Sequence, residues 1–371
     1  MLKMCSFKKH PQMDDLYRLL VSQTQSFFNL SEDIARGRIS EIAPPFESYQ
    51  SFKGDIISYC MDFFDKYNGY LSVMENTEIE RVGNEMSSLV KRASGRKATF
   101  DLKKDVHTVE KMIIDTLVQC FKGFPSEAVS VFEKGMIANQ MHLFELIPQL
   151  SVSGLSFFRV RKDDGEVLTE GKALFHVPFD KRQYCGTYRY SIPGYPSLYL
   201  AKNLDVAKLE TDIKEEDLFY AACFRPNREL RFIDLSLTQT FETVWERYSL
   251  LVFYPLIMAC GLTVKMSNAP YKPEYVLPQV MSQVFRLHVI EGTFDGFSYI
   301  STKVDNPDFM DFNMRNFVLW IKGADEEKGY SKSLADSFTV SGPIKCQGDQ
   351  STREIEDELM RAPFYPVLGK E

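Results

Sequence analysis

Arginine, carboxylate and hydroxyl side chains recur among short apolar runs in the second half of the chain. A guanidinium group forks onto phosphate oxygens, and a carboxylate stabilises positive charge that develops on a sugar. Arg159 lies inside the apolar run 157–160, where an unpaired arginine would be costly, and this favours a function for it. The candidates are, in chain order, Arg159, Arg189, Tyr199, Glu210, Ser301 and Asn316.

Most of these side chains also have an ordinary structural explanation. Arg189 could be a surface arginine, and Glu210 could be a solvated glutamate of the kind that any helix offers. Tyr199 could simply pack in a strand, the commoner fate of strand tyrosines. Ser301 could be a turn residue at a strand end, and Asn316 a cap at a strand entry. Residue type alone favours the structural interpretation of Glu210, so the surrounding pattern has to decide.

That pattern consists of segments in a fixed order. They are FFRV at 157–160, TYRYSIPG with PSLYLA at 187–201, AKLE at 207–210, YVLPQ at 275–279, FDGFSYIS at 294–301 and NFVLW at 316–320. In this order they resemble the RES domain family, over about residues 153–323. The name-giving Arg, Glu and Ser of the family would be Arg159, Glu210 and Ser301. The stretches 163–166 and 303–315 are longer than in compact members, and Val160 matches no site residue.

The resemblance implies a fold and a substrate. It implies a mixed α/β domain with a split β-sheet core like that of ADP-ribosyltransferases, and NAD⁺ as a substrate rather than a cofactor. Glu210 would face the ribose, while Arg159 and Arg189 would hold phosphates. Tyr199 would stack on the nicotinamide or ribose, and Ser301 would donate to phosphate or position the nucleophile. Asn316 would bind the substrate edge.

The resemblance also implies a reaction and partners. RES proteins are typically toxins of bacterial toxin–antitoxin pairs that cleave the nicotinamide–ribose bond, so an antitoxin is an expected partner and inorganic phosphate an expected co-substrate. Phosphorolysis and hydrolysis both remain open. Two further alternatives are transfer of ADP-ribose to a protein and a non-catalytic interaction module that kept the fold.

The first half of the chain reads as helical. Apolar residues recur at helical spacing near 56–64, 106–120 and 129–146, with Asp105 as a candidate cap and residues 83–104 as a polar loop. This half resembles the helical module, grouped with the HEPN class, that some RES proteins carry. It lacks the RxxxxH motif of HEPN ribonucleases, so we expect a scaffolding, oligomerising or restraining role, with the protein a homo-oligomer.

Near residue 150 the apolar residues change from helical spacing to short runs rich in aromatic and β-branched residues, which predicts an α+β protein. We expect a helical domain at 1–150, a RES domain at 151–325 and a C-terminal extension at 326–371. The predicted strands of the second half are 157–160, 173–177, 197–200 and 230–233, and the predicted helices are 204–214, 241–260, 278–289 and a short helix capped at Ser351.

Composition limits the remaining classes. The net charge of -7 over 371 residues argues against a general nucleic-acid surface. Seven cysteines without CxxC spacing and five scattered histidines give no disulfide framework or metal site. The apolar run 250–264 is shorter than a spanning helix needs, and it contains Pro255, so we expect a buried helix and no membrane span. Residues 1–9 lack the apolar core of a signal peptide, which favours the cytoplasm.

Overall fold

The computed structural model describes residues 20–43, 48–137, 143–237, 243–288, 294–304, 311–321 and 328–369. Two compact units divide the chain. The first comprises Met1–Pro148 and Gln239–Pro273, and the second comprises Gln149–Thr238 and Glu274–Glu371. The first unit is therefore discontinuous in sequence.

The described part of the first unit is helical. Its helices are α1 (Gln25–Ala35), α2 (Ser48–Ser51), α3 (Ile56–Ser72), α4 (Asn76–Ser94), α5 (Leu102–Phe121), α6 (Pro125–Ile137), α7 (Leu143–Leu146) and α9 (Val244–Cys260). Almost every residue of α9 is buried, which confirms the prediction of a buried helix. Pro255 has no N–H to give to the Leu251 carbonyl one turn earlier, and the hydroxyl of Tyr67 donates to that carbonyl at 2.6 Å instead.

Two predictions for this unit were wrong. Asp101, not Asp105, caps α5, because its carboxylate accepts the backbone N–H of Lys104. Asp105 is buried inside the helix, where it accepts the hydroxyl of Tyr248 at 2.7 Å. The stretch predicted as a loop, 83–104, begins inside α4: the apolar stripe Ile79, Val82, Met86 and Val90 is buried at helical spacing between charged residues.

A ten-stranded mixed sheet forms the described core of the second unit. Its strands are β1 (Gln149–Val152), β2 (Phe157–Lys162), β3 (Ser197–Ala201), β4 (Leu218–Pro226), β5 (Leu230–Asp234), β6 (Gly296–Ile300), β7 (Arg315–Trp320), β8 (Phe338–Ser341), β9 (Ile344–Gln347) and β10 (Phe364–Pro366). Their order is β1-β5-β6-β7-β3-β2-β4-β8-β10, with β9 also paired to β4. β5 and β6 run parallel, and the other pairs are antiparallel.

The helices of this unit are α8 (Leu204–Glu210), α10 (Val276–His288), α11 (Lys332–Ala335) and α12 (Thr352–Arg361). Ser351 caps α12, as predicted. α8 ends four residues before the predicted limit, and the next turn contains Asp212 with a positive φ of 55°. Instead of the strand predicted at 173–177, Gly171–Leu174 forms a short 3₁₀ helix. The close fit of Gly171 against the side chain of Val340 accompanies this turn.

The pairing between β2 and β3, at the centre of the sheet, is short. β2 is paired with β4 along its whole length, whereas its ladder with β3 has the single pair Phe158–Ala201. Two apolar clusters cover the opposite faces of the sheet. One contains Phe157, Leu200 and Phe317, and the other contains Phe158 and Ala201 with residues of α8.

The α+β class, with a helical N-terminal region and a large mixed sheet, is confirmed. The two compact units differ from the predicted domain limits in two respects. Residues 239–273 group with the first unit, and the segment predicted as a C-terminal extension supplies β8, β9 and β10 to the sheet. Within the described ranges, no helix combines the length and apolar character needed to cross a membrane.

Candidate functional site

The polar face of three neighbouring strands positions the candidate site. Asn316 on β7 lies opposite Ala201 on β3 and opposite Tyr299 on β6. Directly opposed residues point to the same face of a sheet, and residues two apart on one strand share a face. Tyr199, Asn316 and Tyr299 therefore lie on the same face.

Glu210 reaches this face from the end of α8. The helix begins directly after β3, where the side chain of Asn203 accepts the N–H of Val206 at 2.8 Å. Leu204 and Ala207 are buried against the sheet, which leaves Glu210 at the C-terminal end of a short, anchored helix. The amide Nδ2 of Asn316 donates to Oε1 of Glu210 at 2.6 Å.

Aromatic rings and a second arginine lie beside the carboxylate. Arg189 is buried; its Nη2 donates to the hydroxyl of Thr302 at 3.1 Å, and its guanidinium carbon lies 5.0 Å from the ring centroid of Tyr275. Burial, and then the charge of Glu210, raise the pKa of Tyr299 well above its usual range. Burial also raises the pKa of Tyr275. Both phenols are therefore neutral at physiological pH.

The loop before β3 contributes to the same cluster. The hydroxyls of Ser191 and Tyr199 are hydrogen-bonded at 2.8 Å, and burial raises the pKa of Tyr199. The ring of Tyr188, which is 56% exposed, meets the ring of Tyr199 edge to face with centroids 5.5 Å apart. α10 holds this loop, because Gln279 donates to the carbonyl of Tyr188 at 3.0 Å and Ser282 donates to that of Tyr190 at 2.9 Å.

Arg159 approaches from the other face of the sheet. Its register partner on β4 is Ala222, which belongs to the apolar cluster on the side opposite Asn316. Its Nη1 is shielded from solvent and has no hydrogen-bond partner among the described residues. Burial lowers the pKa of Arg159 to about 10, while the hydroxyls of Tyr188 and Tyr199 raise it, so the group stays cationic at neutral pH. The electrostatic interaction with these two tyrosines shows that Arg159 lies near the cluster around Glu210.

His176 lies near Arg159 on this side of the sheet. Its Nε2 accepts the backbone N–H of Ser331 at 2.9 Å, and its Nδ1 lies 2.8 Å from the carbonyl of Val177. Burial lowers the pKa of His176 to about 4. The ring is therefore neutral at physiological pH, and its contacts are those of a structural tie.

Ser301 follows the end of β6 and is buried. Its hydroxyl accepts the backbone N–H of Lys303 at 3.2 Å. The ammonium group of Lys303 in turn donates to the carbonyl of Glu210 at 2.8 Å. Of the six predicted residues, Glu210 and Asn316 are therefore in direct contact, and Tyr199 lies on the same face of the sheet. Arg189 lies near them through Tyr275, and Ser301 is linked to Glu210 through Lys303. Arg159 lies on the opposite face and interacts electrostatically with Tyr188 and Tyr199.

Several residues of this cluster were not singled out from the sequence. They are Tyr188, Ser191, Tyr275, Tyr299 and Lys303. Tyr299 carries a usable signal, because it precedes the candidate Ser301 by two residues, and residues two apart in an extended segment point the same way. Tyr275 and Lys303 reach the site from the entry of α10 and from a turn, which no local pattern indicates.

The chain is similar in sequence to a known bacterial protein. The chain is 26% identical over 318 residues to a Bacillus subtilis (strain 168) protein named "Putative toxin YopC", a match that covers 79% of this chain and 70% of the relative. No family model matches the chain, and no solved structure matches it.

The arrangement has a defined chemical capacity. A carboxylate, neutral phenols and a guanidinium stacked on a ring can bind a sugar whose anomeric carbon becomes positively charged. The partnerless nitrogen of Arg159 favours an anionic group nearby, because hydrogen bonds with an oxyanion offset the cost of burying that cation.

Proposed function

We propose that the second unit binds NAD⁺ as a substrate and breaks its nicotinamide–ribose bond, and that the protein acts as a toxin by this reaction. The name of the similar Bacillus subtilis protein supports a toxin-like role. The reaction itself rests on the site.

One observation carries the proposal: Asn316 donates to Glu210 on the face of the sheet that also carries Tyr199, and Arg189 lies near them beside Tyr275. Glu210 and Asn316, both named from the RES resemblance, are in contact although they are 106 residues apart, and this supports the proposal. The single pair that joins β2 to β3 supports a cleft at this position, as in a split sheet.

The proposed reaction does not require an acid to protonate the leaving group. Nicotinamide in NAD⁺ is a pyridinium, so the ribose C1–N bond breaks with its electron pair moving to nitrogen, and neutral nicotinamide leaves. Positive charge then develops on the ribose, where the carboxylate of Glu210 stabilises the transition state more than the ground state. A phosphate oxygen then forms the new bond to C1, or a water oxygen forms it and loses a proton to solvent.

The acceptor distinguishes three reactions. Phosphate as acceptor yields ADP-ribose 1″-phosphate, and water yields ADP-ribose. Transfer of ADP-ribose to a protein side chain is the second candidate function, because the exposed ring of Tyr188 beside Tyr199 leaves this edge of the cluster accessible to a large acceptor. A separate antitoxin protein would then be the partner that restrains the activity.

The test is nicotinamide release by the full chain from NAD⁺, with and without phosphate. Glu210→Gln keeps the shape of the side chain but removes its charge, so we expect kcat to fall about 100- to 1000-fold. The change in NAD⁺ affinity should be small, since the carboxylate acts mainly in the transition state.

Glu215→Gln is the matched control, because Glu215 is exposed in the turn after α8 and the same charge is lost. It should leave kcat unchanged. An equal rate in the wild type and Glu210→Gln would remove Glu210 from the mechanism. A wild-type chain that binds NAD⁺ without releasing nicotinamide would leave only the non-catalytic module.

A further inference from the structure

The ammonium group of Lys303 and the side-chain amide of Asn316 both bind Glu210, the last residue of α8. The last carbonyls of a helix have no partner within the helix, and cations are favoured there. The ammonium group of Lys303 lies 3.4 Å from the carbonyl oxygen of Leu209 and 2.8 Å from that of Glu210. Lys303 therefore fixes the backbone of the residue that carries the carboxylate.

Asn316 fixes the side chain of the same residue. It is buried on β7, a strand paired on both sides, with β3 and β6. Its amide donates to Oε1 of Glu210 at 2.6 Å. Among the described residues, none donates to Oε2, so this oxygen is the one left for a ligand.

Ser301 completes the arrangement by ordering the turn that carries Lys303. Its buried hydroxyl accepts the N–H of Lys303 at 3.2 Å, two residues along the chain. A short turn, rather than a flexible arm, therefore brings the ammonium group to the helix end.

We propose that Lys303 and Asn316 are positioning residues that hold Glu210 at two points, its backbone carbonyl and Oε1, so that Oε2 alone faces the ribose. This inference rests on the proposed NAD⁺ cleavage. It changes the role expected of Asn316 from binding the substrate edge to orienting the carboxylate. It also assigns a task to Lys303, which lies in a stretch where the chain departs from the RES pattern.

The kinetic test separates positioning from substrate contact. Asn316→Ala removes the donor to Oε1, and Lys303→Met removes the ammonium group but keeps the apolar stem. We expect kcat to fall about 10- to 100-fold in each variant, because a small displacement of a reacting group is costly, with KM for NAD⁺ within about threefold. Lys303→Arg keeps a cationic donor and should restore most of kcat.

Lys208→Met is the matched control. Lys208 is on the same helix and donates to a backbone carbonyl, that of Gly348, at 2.6 Å, but it does not contact Glu210. It should leave kcat unchanged. An equal loss of kcat in Lys208→Met, or a rise in KM with unchanged kcat in Asn316→Ala, would overturn the proposal.

A measurement without catalysis keeps this inference distinct from the proposed function. In the wild type, the side-chain amide protons of Asn316 should resonate downfield in NMR spectra, because one donates to a carboxylate. Glu210→Ala should remove that shift, whether or not the protein releases nicotinamide. An Asn316 amide signal that is the same in both proteins would overturn the positioning role.

Discussion

Arg159 lies in the second unit, and its Nη1 is shielded from solvent without a hydrogen-bond partner among the described residues. A buried donor without a partner costs about 1–3 kcal/mol. Such a cost is retained in a folded protein when the group meets its partner in a bound ligand. Burial lowers the pKa of Arg159 only to about 10, so the charge persists at neutral pH.

Replacement of this arginine should therefore separate stability from binding. We expect Arg159→Met to raise the free energy of unfolding by about 1 kcal/mol in the absence of ligand. The same variant should lose most of the rise in Tm that NAD⁺ gives the wild type. Thermal unfolding with and without NAD⁺ measures both effects. A destabilised variant that keeps its full response to NAD⁺ would show that Arg159 is structural.

The resemblance named candidate site residues from the sequence, but it did not indicate which side chains they contact. Glu210, Asn316 and Tyr199 could be predicted because a resemblance fixes residue types in a fixed order. Their mutual contacts depend on the register of β3, β6 and β7, which no local pattern encodes. For this reason the amide of Asn316 was expected to bind the substrate, whereas it donates to Glu210.

At the scale of the elements, strong local periodicity was reliable and weak periodicity was not. The buried run of α9 and the aromatic strands β2 and β3 were predicted correctly. α4 was missed over residues 83–94, because its exposed positions are highly charged and its buried stripe is narrow. Residues 173–177 have the composition of a strand, but the 3₁₀ turn at Gly171–Leu174 packs them differently.

The packing of α3 against α5 contains a carboxyl group that should respond to pH. Glu110 is buried and accepts the amide of Asn68 at 2.9 Å, and burial raises its pKa to about 7. The folded protein holds a proton there that the unfolded chain releases near pH 4.5. Its contribution to stability is therefore fully present below pH 4.5 and is lost as the pH rises through about 7.

Glu110→Gln should remove this dependence. Relative to the wild type, we expect it to raise the free energy of unfolding by about 2 kcal/mol at pH 8, since water screens part of the full effect, and to leave it nearly unchanged at pH 4.5. Denaturant unfolding at the two pH values is the measurement. Glu80→Gln, at an exposed position beyond the first turn of α4, should change neither value. A gain of equal size at both pH values would contradict the assigned cause.

At the scale of the whole molecule, the first unit depends on a helix that lies far along the chain. α9 packs against α5, α1, α3 and α4, and nearly all its residues are buried. A chain that lacks residues 1–148 keeps α9 but loses the four described helices named above that pack against it. The hydrophobic face so exposed is large enough to drive association.

We therefore expect the chain without residues 1–148 to aggregate and to bind ANS, as followed by size-exclusion chromatography and fluorescence. Co-expression of residues 1–148 as a separate chain should restore a soluble complex. A monodisperse shortened chain that does not bind ANS would contradict the packing of α9.

The split of the first unit around residues 149–238 also sets an order of events on the ribosome. Synthesis proceeds from the N-terminus, and a domain completes its fold only when its last buried element has emerged. The helical unit must wait for α9, while Ser301, Lys303 and Asn316 are translated later still. A nascent chain thus acquires Lys303 and Asn316, which hold Glu210, only after the helical bundle can close, so the proposed reaction could begin only after that step.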